Sequence, residues 1–431
     1  MRNPLRPANR LPPEIIALCV GFLPRTNPKP IVSLTHVCRY WRKTIISSPR
    51  NWTLIGSGWK RLAPLCLERS GALAPLTVSV STLEQDKAFL QLLLPHLSRI
   101  SGLSLTGGSW TPAEKVANML IKFFTSPMIN LTSLKLRSLE ASPASIFSLL
   151  SGIKTLVELK LTGSKIIFPH FIGFLESNPN LKAIEFSFEF SEVPSTALKR
   201  LVSLPRLRRL KLTCSEATDA RMLLSCLSLP RGVNMEIYGT QENPCGDLTS
   251  FLPCPPTLIR DLLAPITAVR YSPGQLYLFS NNGSFSFQSH KTTKKLYEEF
   301  NLFATGAVRE LRLLHFYSRD NVSLLLKRLP ALEALVIQHA VGSGMSALGE
   351  EPILCPSLKT LALLDCYVAD QEIKTMEEVL AKREHTTAAR LHRIVIASRT
   401  CSFPAPKLVS RLQKLVPRVE VVVGDKLPNL L

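Results

Sequence analysis

The sequence predicts an α/β protein in which three short N-terminal helices precede an elongated repeat solenoid with a curved parallel sheet. Three observations carry that reading. A six-residue apolar pattern recurs at intervals near 25 residues over most of the chain, and the first 55 residues instead place apolar side chains at helical spacing between prolines. The 431-residue chain is also 45% hydrophobic, enough for a sizeable core and too much for wholesale disorder.

The stretch "LPPEIIALCVGFL" puts Ile15, Leu18, Cys19, Phe22 and Leu23 at i, i+3, i+4, i+7 and i+8. That spacing predicts a helix of about ten residues that opens after Pro12 and Pro13 and stops at Pro24. The run "PRTNPKP" from Pro24 to Pro30 cannot continue it, because proline lacks an amide donor and biases its predecessor toward extended backbone. A second helix is expected to carry a stripe of Leu34, Val37, Cys38, Trp41 and Ile45 as far as Ile46, with Arg39, Arg42 and Lys43 filling the gaps. Ser48 followed by Pro49 reads as an N-cap and a first-turn proline, starting a third short turn through Trp52. A unit of about 45 residues seldom has a sufficient core of its own, so something else should cover part of Leu34, Val37, Trp41 and Trp52.

In order along the chain stand Leu11-Pro12, Ile15-Ile16, Phe22-Leu23, Leu34, Val37-Cys38-Arg39-x-Trp41-Arg42 and Ser48-Pro49-x-x-Trp52. This order resembles an F-box, and it is most similar to the F-box-like proteins of mushroom-forming fungi. The resemblance covers about a tenth of the chain, and its proline-rich connector is longer than the family's usual one. It implies docking to the adaptor subunit of an SCF ubiquitin ligase and, through it, to a cullin. Carried over position by position, Leu11, Pro12, Ile15, Leu34, Val37, Cys38 and Trp41 would form the adaptor-facing surface, with Trp52 packed beneath it. A helical cap that only closes the following domain is the alternative reading. The expected layout is a basic tail over 1–10, the F-box-like helices over 11–55 and a connecting helix over 56–72.

From residue 73 onward the pattern L-x-x-L-x-L, with other apolar residues allowed, begins at Leu73, Ile100, Leu131, Leu156, Leu181, Leu207, Val308, Leu332, Leu358 and Leu391. Weaker copies begin at Gly232, Ile266 and Val416. Successive starts from Leu131 to Leu207 differ by 25, 25 and 26, an interval that fits leucine-rich repeats. A solenoid is therefore expected over 73–424, followed by a short tail over 425–431. "QLYLFSNNGSFSFQS" alternates on both sides of Asn282-Gly283, which predicts an inserted β-hairpin near 275–289, and a helix from about Thr292 to Ala304 should return the chain to the array.

In each repeat the residue between the last two apolar positions should face the concave side, because side chains alternate along a strand. Those residues are Lys135, Lys160, Glu185, Lys211 and Arg312, then Val336, Ala362 and Val395. Such a face, with Lys135, Lys160, Lys211, Arg312 and Val336 as its candidate contacts, fits a target segment that is acidic or phosphorylated and then apolar. A merely solvated basic face is the alternative.

Lysine and arginine number 52 against 32 aspartates and glutamates, a net charge of +20. Nucleic acid is a less favoured partner, since no aromatic residues interleave the basic ones in a stacking pattern. Ten scattered cysteines without a C-x-x-C pair indicate neither a zinc cage nor a disulfide framework, and no phosphate cradle, metalloprotease motif or nucleophile elbow is present. No cofactor and no membrane association are expected. "MRNPLRPANR" leads into Pro12, Pro13 and Glu14 instead of an apolar signal core, which points to the cytoplasm or nucleus. The expected function is that of a non-catalytic substrate receptor in an SCF-type ubiquitin ligase. The alternative is a basic leucine-rich-repeat scaffold that binds nucleic acid or an acidic partner without a ubiquitin role.

Overall fold

A computed structural model describes residues 11–23, 29–83, 86–107, 121, 123–124, 128–138, 147, 150–192, 201–240, 248–253, 264–272, 274–281, 283–288, 303, 305–315, 318–339, 341–366, 370–385, 390–398 and 406–423. The chain divides into two compact units, 1–207 and 208–431. Both expected tails lie outside the described residues, as does nearly all of the helix expected over Thr292–Ala304.

The first unit opens with α1 (Pro13–Gly21), α2 (Lys29–Leu34) and α3 (Arg39–Ile46). Pro12 sits in extended backbone, and its carbonyl accepts the amides of Ile15 and Ile16 at 3.1 and 3.2 Å, so the helix starts where a first-turn proline is tolerated. The single second helix expected through Ile46 is corrected to two. Cys38 adopts φ −160° and ψ 172°, and its Sγ accepts from the Trp41 amide at 3.4 Å, which caps α3 and ends the supposed continuous stripe. The break costs little because its polar groups are used: the Thr35 hydroxyl donates to Val32 O at 2.6 Å, and Arg42 Nε donates to Thr35 O at 2.9 Å. The expected third turn is a 3-10 helix over Pro49–Trp52, although the Ser48 side chain makes no capping bond.

The sheet begins earlier than the repeat count predicted. β1 (Leu54–Gly56) pairs in parallel with β2 (Leu76–Val80), so the end of the segment expected to be purely helical over 11–55 contributes a strand, and α4 (Ala63–Arg69) follows within the expected connecting helix over 56–72. Ile55 needs a covered position, and the adjacent strand supplies it. β3 (Ile100–Thr106), β4 (Ser133–Arg137), β5 (Glu158–Ile167) and β6 (Ala183–Glu192) follow in sequence order, all parallel. In register, Ile55, Val78, Leu103, Leu134, Leu159 and Ile184 form one buried ladder across the six strands. Each such side chain contributes roughly 1.5–3 kcal/mol, and none could bury itself within its own repeat. Phe171, on the helix Phe168–Glu176, packs edge-on against Phe186 with ring centres 4.6 Å apart.

The second unit contains β7 (Arg209–Cys214), β8 (Asn234–Gly239), β9 (Ile266–Ser272), β10 (Gln275–Ser280), β11 (Gly283–Gln288), β12 (Glu310–Leu314), β13 (Ala334–Gln338), β14 (Thr360–Leu364), β15 (Arg393–Ser398) and β16 (Arg418–Val423). Within this unit every pairing is parallel except those of β10. All thirteen pattern copies named from the sequence coincide with strands of the two units.

The hairpin is present, but its placement differs from an insertion beside the array. β11 joins β8 in parallel, β10 lies between β11 and β9, and β9 joins β12 in parallel, so the hairpin is built into the sheet. Incorporation pairs strand edges that an excursion would leave open. Gly283 is required by this close approach, since a Cβ there would stand 2.8 Å from Val233 O. Asn282 lies outside the described residues.

A second repeat device was not anticipated. Ser138, Gly163, His315, His339 and Asp365 each lie two residues beyond the last position of a six-residue pattern copy and have positive φ, between 48° and 71°. The amides of Ser138, His315, His339 and Asp365 donate to the carbonyls of Thr162, Gln338, Leu364 and Ala397 on the next strand, at 2.7–3.3 Å. At these four positions the left-handed residue ends the strand while keeping its amide satisfied, whereas Gly163 lies within β5 where its register against β6 shifts.

Candidate docking surface and repeat face

In α1 the buried residues are Ile16 and Val20, one turn apart. The residues read as that helix's apolar face therefore point outward: Ile15, Leu18 and Phe22 are 40%, 57% and 81% exposed. Val37, in the break before α3, is 56% exposed. Pro12 is exposed, and Leu11, Leu34, Cys38 and Trp41 are half-buried. All seven candidate docking residues thus lie in or beside the three helices, and none is enclosed. Leu11 is tied to α3, because the Tyr40 hydroxyl donates to its carbonyl at 2.8 Å.

The support beneath is Ile45 and Trp52, both buried. Trp52 Nε1 donates to Ile45 O at 3.0 Å, and the Arg69 guanidinium lies 4.5 Å from the indole ring centre. Leu18 and Phe22 are surface residues that the position-by-position reading omitted. Their signal was the i, i+3, i+7 spacing, which identifies a face without saying which way it points.

On the repeat face of the first unit, Ser104, Lys135, Lys160 and Glu185 stand opposite one another in one row. Lys135 is exposed, whereas Lys160 Nζ is 2.8 Å from Glu185 Oε1. The corresponding row in the second unit runs Lys211, Glu236, Ser286, Tyr277, Arg270, Arg312, Val336, Ala362, Val395 and Glu420. Lys211 lies 5.0 Å from the Tyr238 ring centre, and the Tyr238 hydroxyl donates to Glu236 Oε2 at 3.1 Å. Burial, followed by that bond to Glu236, raises the Tyr238 phenol above its ordinary range.

The expected apolar contact at Val336 is corrected by its burial. Val336, Ala362, Leu364, Val395 and Ala397 form an enclosed cluster with Val422 against it, so Val336 is a core residue instead of an open contact. Beside it, burial pushes the Glu310 carboxyl up to about 7 despite the opposing pull of Arg312. Burial and then the charge of Arg270 pull the Arg312 guanidinium below its usual range. Arg270 and Tyr277 are face residues that the expected concave set lacked, because the hairpin's place in the sheet could not be read locally.

Among the described residues no helix is long and apolar enough to cross a membrane. No family model matches the chain. A protein of Arabidopsis thaliana named as F-box/LRR-repeat protein 22 is 23% identical over 299 residues, covering 66% of this chain and 85% of the relative. The array of mostly parallel strands agrees with this likeness to a leucine-rich-repeat protein.

Proposed function

We propose that the chain is the substrate-receptor subunit of an SCF-type ubiquitin ligase, docking to the adaptor through its N-terminal helices and selecting a target protein with its repeats. One observation carries this reading: Ile15, Leu18, Phe22 and Val37 present apolar surface outward from helices whose own packing uses Ile16, Val20, Ile45 and Trp52. Apolar side chains grouped in this way mark surfaces that a partner covers. The plant relative's name agrees with it, while the likeness to fungal F-box-like proteins rests on the motif over 11–52 alone. The receptor's contribution to ubiquitin transfer is proximity, since it holds a target near the carried ubiquitin.

The repeat face favours a protein target over nucleic acid. Its cations Lys160 and Lys211 stand directly beside the carboxylates Glu185 and Glu236, which would repel a continuous polyanion. Co-purification of the chain with the adaptor and cullin tests the reading. Trp41→Ala combined with Leu34→Ala should remove adaptor capture while the fold is kept, and undiminished capture would defeat it.

A further inference from the structure

Arg270 and Arg312 stand directly opposite each other on adjacent strands, β9 and β12, where the strand spacing is about 4.8 Å. Like charges in that relation destabilise a sheet unless something lies between them. Arg270 rests against the Tyr277 ring, 5.6 Å from its centre, and makes no hydrogen bond or ion pair among the described residues. Arg312 Nε is buried and without a hydrogen-bond partner, and so is Glu310 Oε1 on the same strand. Nearby cations are treated differently: Arg393 grips Glu420 through two bonds, at 3.1 and 2.7 Å, and Lys359 reaches Glu333 at 3.1 Å. The arginine pair is therefore a local concentration of unspent donors in a half-covered site.

We propose that Arg270 and Arg312, with Tyr277 opposite Arg270, form a recognition site for one anionic oxygen group, a phosphate monoester or a carboxylate, carried by a peptide segment of the target. Two guanidinium forks match the several lone pairs of such a group, and the aromatic ring supplies a wall against the linking chain. Glu310 lies two residues from Arg312 on the same strand, and Glu236 stands three strands beyond Arg270 in the same row, so carboxyl groups bound the cationic spot and favour an isolated anion. The word target rests on the receptor reading above; the anion chemistry does not.

The test uses the full chain without adaptor. Three fluorescent degenerate peptide libraries, with phosphoserine, glutamate or serine fixed at the centre, are titrated by anisotropy. The wild type should prefer an anionic library to the serine library, with phosphoserine and glutamate arms distinguishing the two sources. Arg270→Gln and Arg312→Gln should each weaken that binding about tenfold or more, whereas Arg390→Gln, which removes a surface partner of Glu384, should leave it unchanged. If Arg312→Gln does not fold, the exposed Arg270 variant still decides the matter. Equal binding of all three libraries, undiminished binding in the Arg270 variant, or displacement of the peptide by a uridine-rich RNA would overturn the proposal. Trp41→Ala should not change these titrations, so failure here and failure of adaptor docking are separable.

Discussion

Val37 is 56% exposed beside the N-terminal helices, whereas Val395, in the middle of β15, is fully enclosed. Both residues stand in apolar patterns that had suggested contact with another protein. At the N-terminus the packing is completed by Ile16, Val20, Ile45 and Trp52, which leaves a second apolar set facing water. On the repeat face the same kind of residue is absorbed by Val336 and Ala362 in its own row and Leu364 and Ala397 in the next. An apolar stripe thus marks a partner surface only where the chain's own core is already closed without it.

Substitutions at the two places should separate stability from binding. The largest effect is expected for Val395→Asp, which puts an unpaired carboxylate into the closed cluster and should cost roughly 5 kcal/mol, read as lost hydrogen-exchange protection over β13–β15. Trp52→Ala should cost about 3–4 kcal/mol in urea unfolding, because it removes a buried ring and the bond to Ile45 O. Trp41→Ala, at a half-buried ring, should cost under about 1.5 kcal/mol and yet abolish adaptor capture.

Glu310 sharpens the contrast through pH. Its folded carboxyl releases a proton near 7, against the ordinary 4.5, so the folded chain holds an extra proton between those values. Stability should therefore fall as pH rises through that window, and Glu310→Gln should flatten the profile and add roughly 1–2 kcal/mol at pH 8, measured by thermal unfolding across pH. The smallest effect on stability, within about 0.5 kcal/mol, is expected for Phe22→Ser and Val37→Ser, which should nonetheless weaken adaptor capture about tenfold. A large loss of stability from either would mean that their exposed surface is covered from within.

Much of the array was readable because its signal is local and repeated. Leu131, Leu156 and Leu181 start pattern copies whose strands begin at Ser133, Glu158 and Ala183, and alternation along each strand put Lys135, Lys160 and Glu185 in one row. The hairpin around Gly283 was readable for the same reason, and its pairing with β9 is also local, but its pairing with β8 joins residues about 50 apart in sequence. The break at Cys38 was missed because Leu34, Val37, Cys38 and Trp41 satisfy helical spacing equally well across two helices, and a cysteine cap carries no strong sequence signal.

By itself, then, the amino-acid order determined the kinds of element, their succession and the repeat length, since these follow from backbone preference and the spacing of apolar side chains. Only the tertiary structure decided that Ile15, Leu18 and Phe22 look outward while Ile16 and Val20 look in, that Val336 is core, and that Arg270 meets Arg312. The reason is that burial and charge pairing depend on which distant segment arrives alongside, and periodicity holds no record of that arrival.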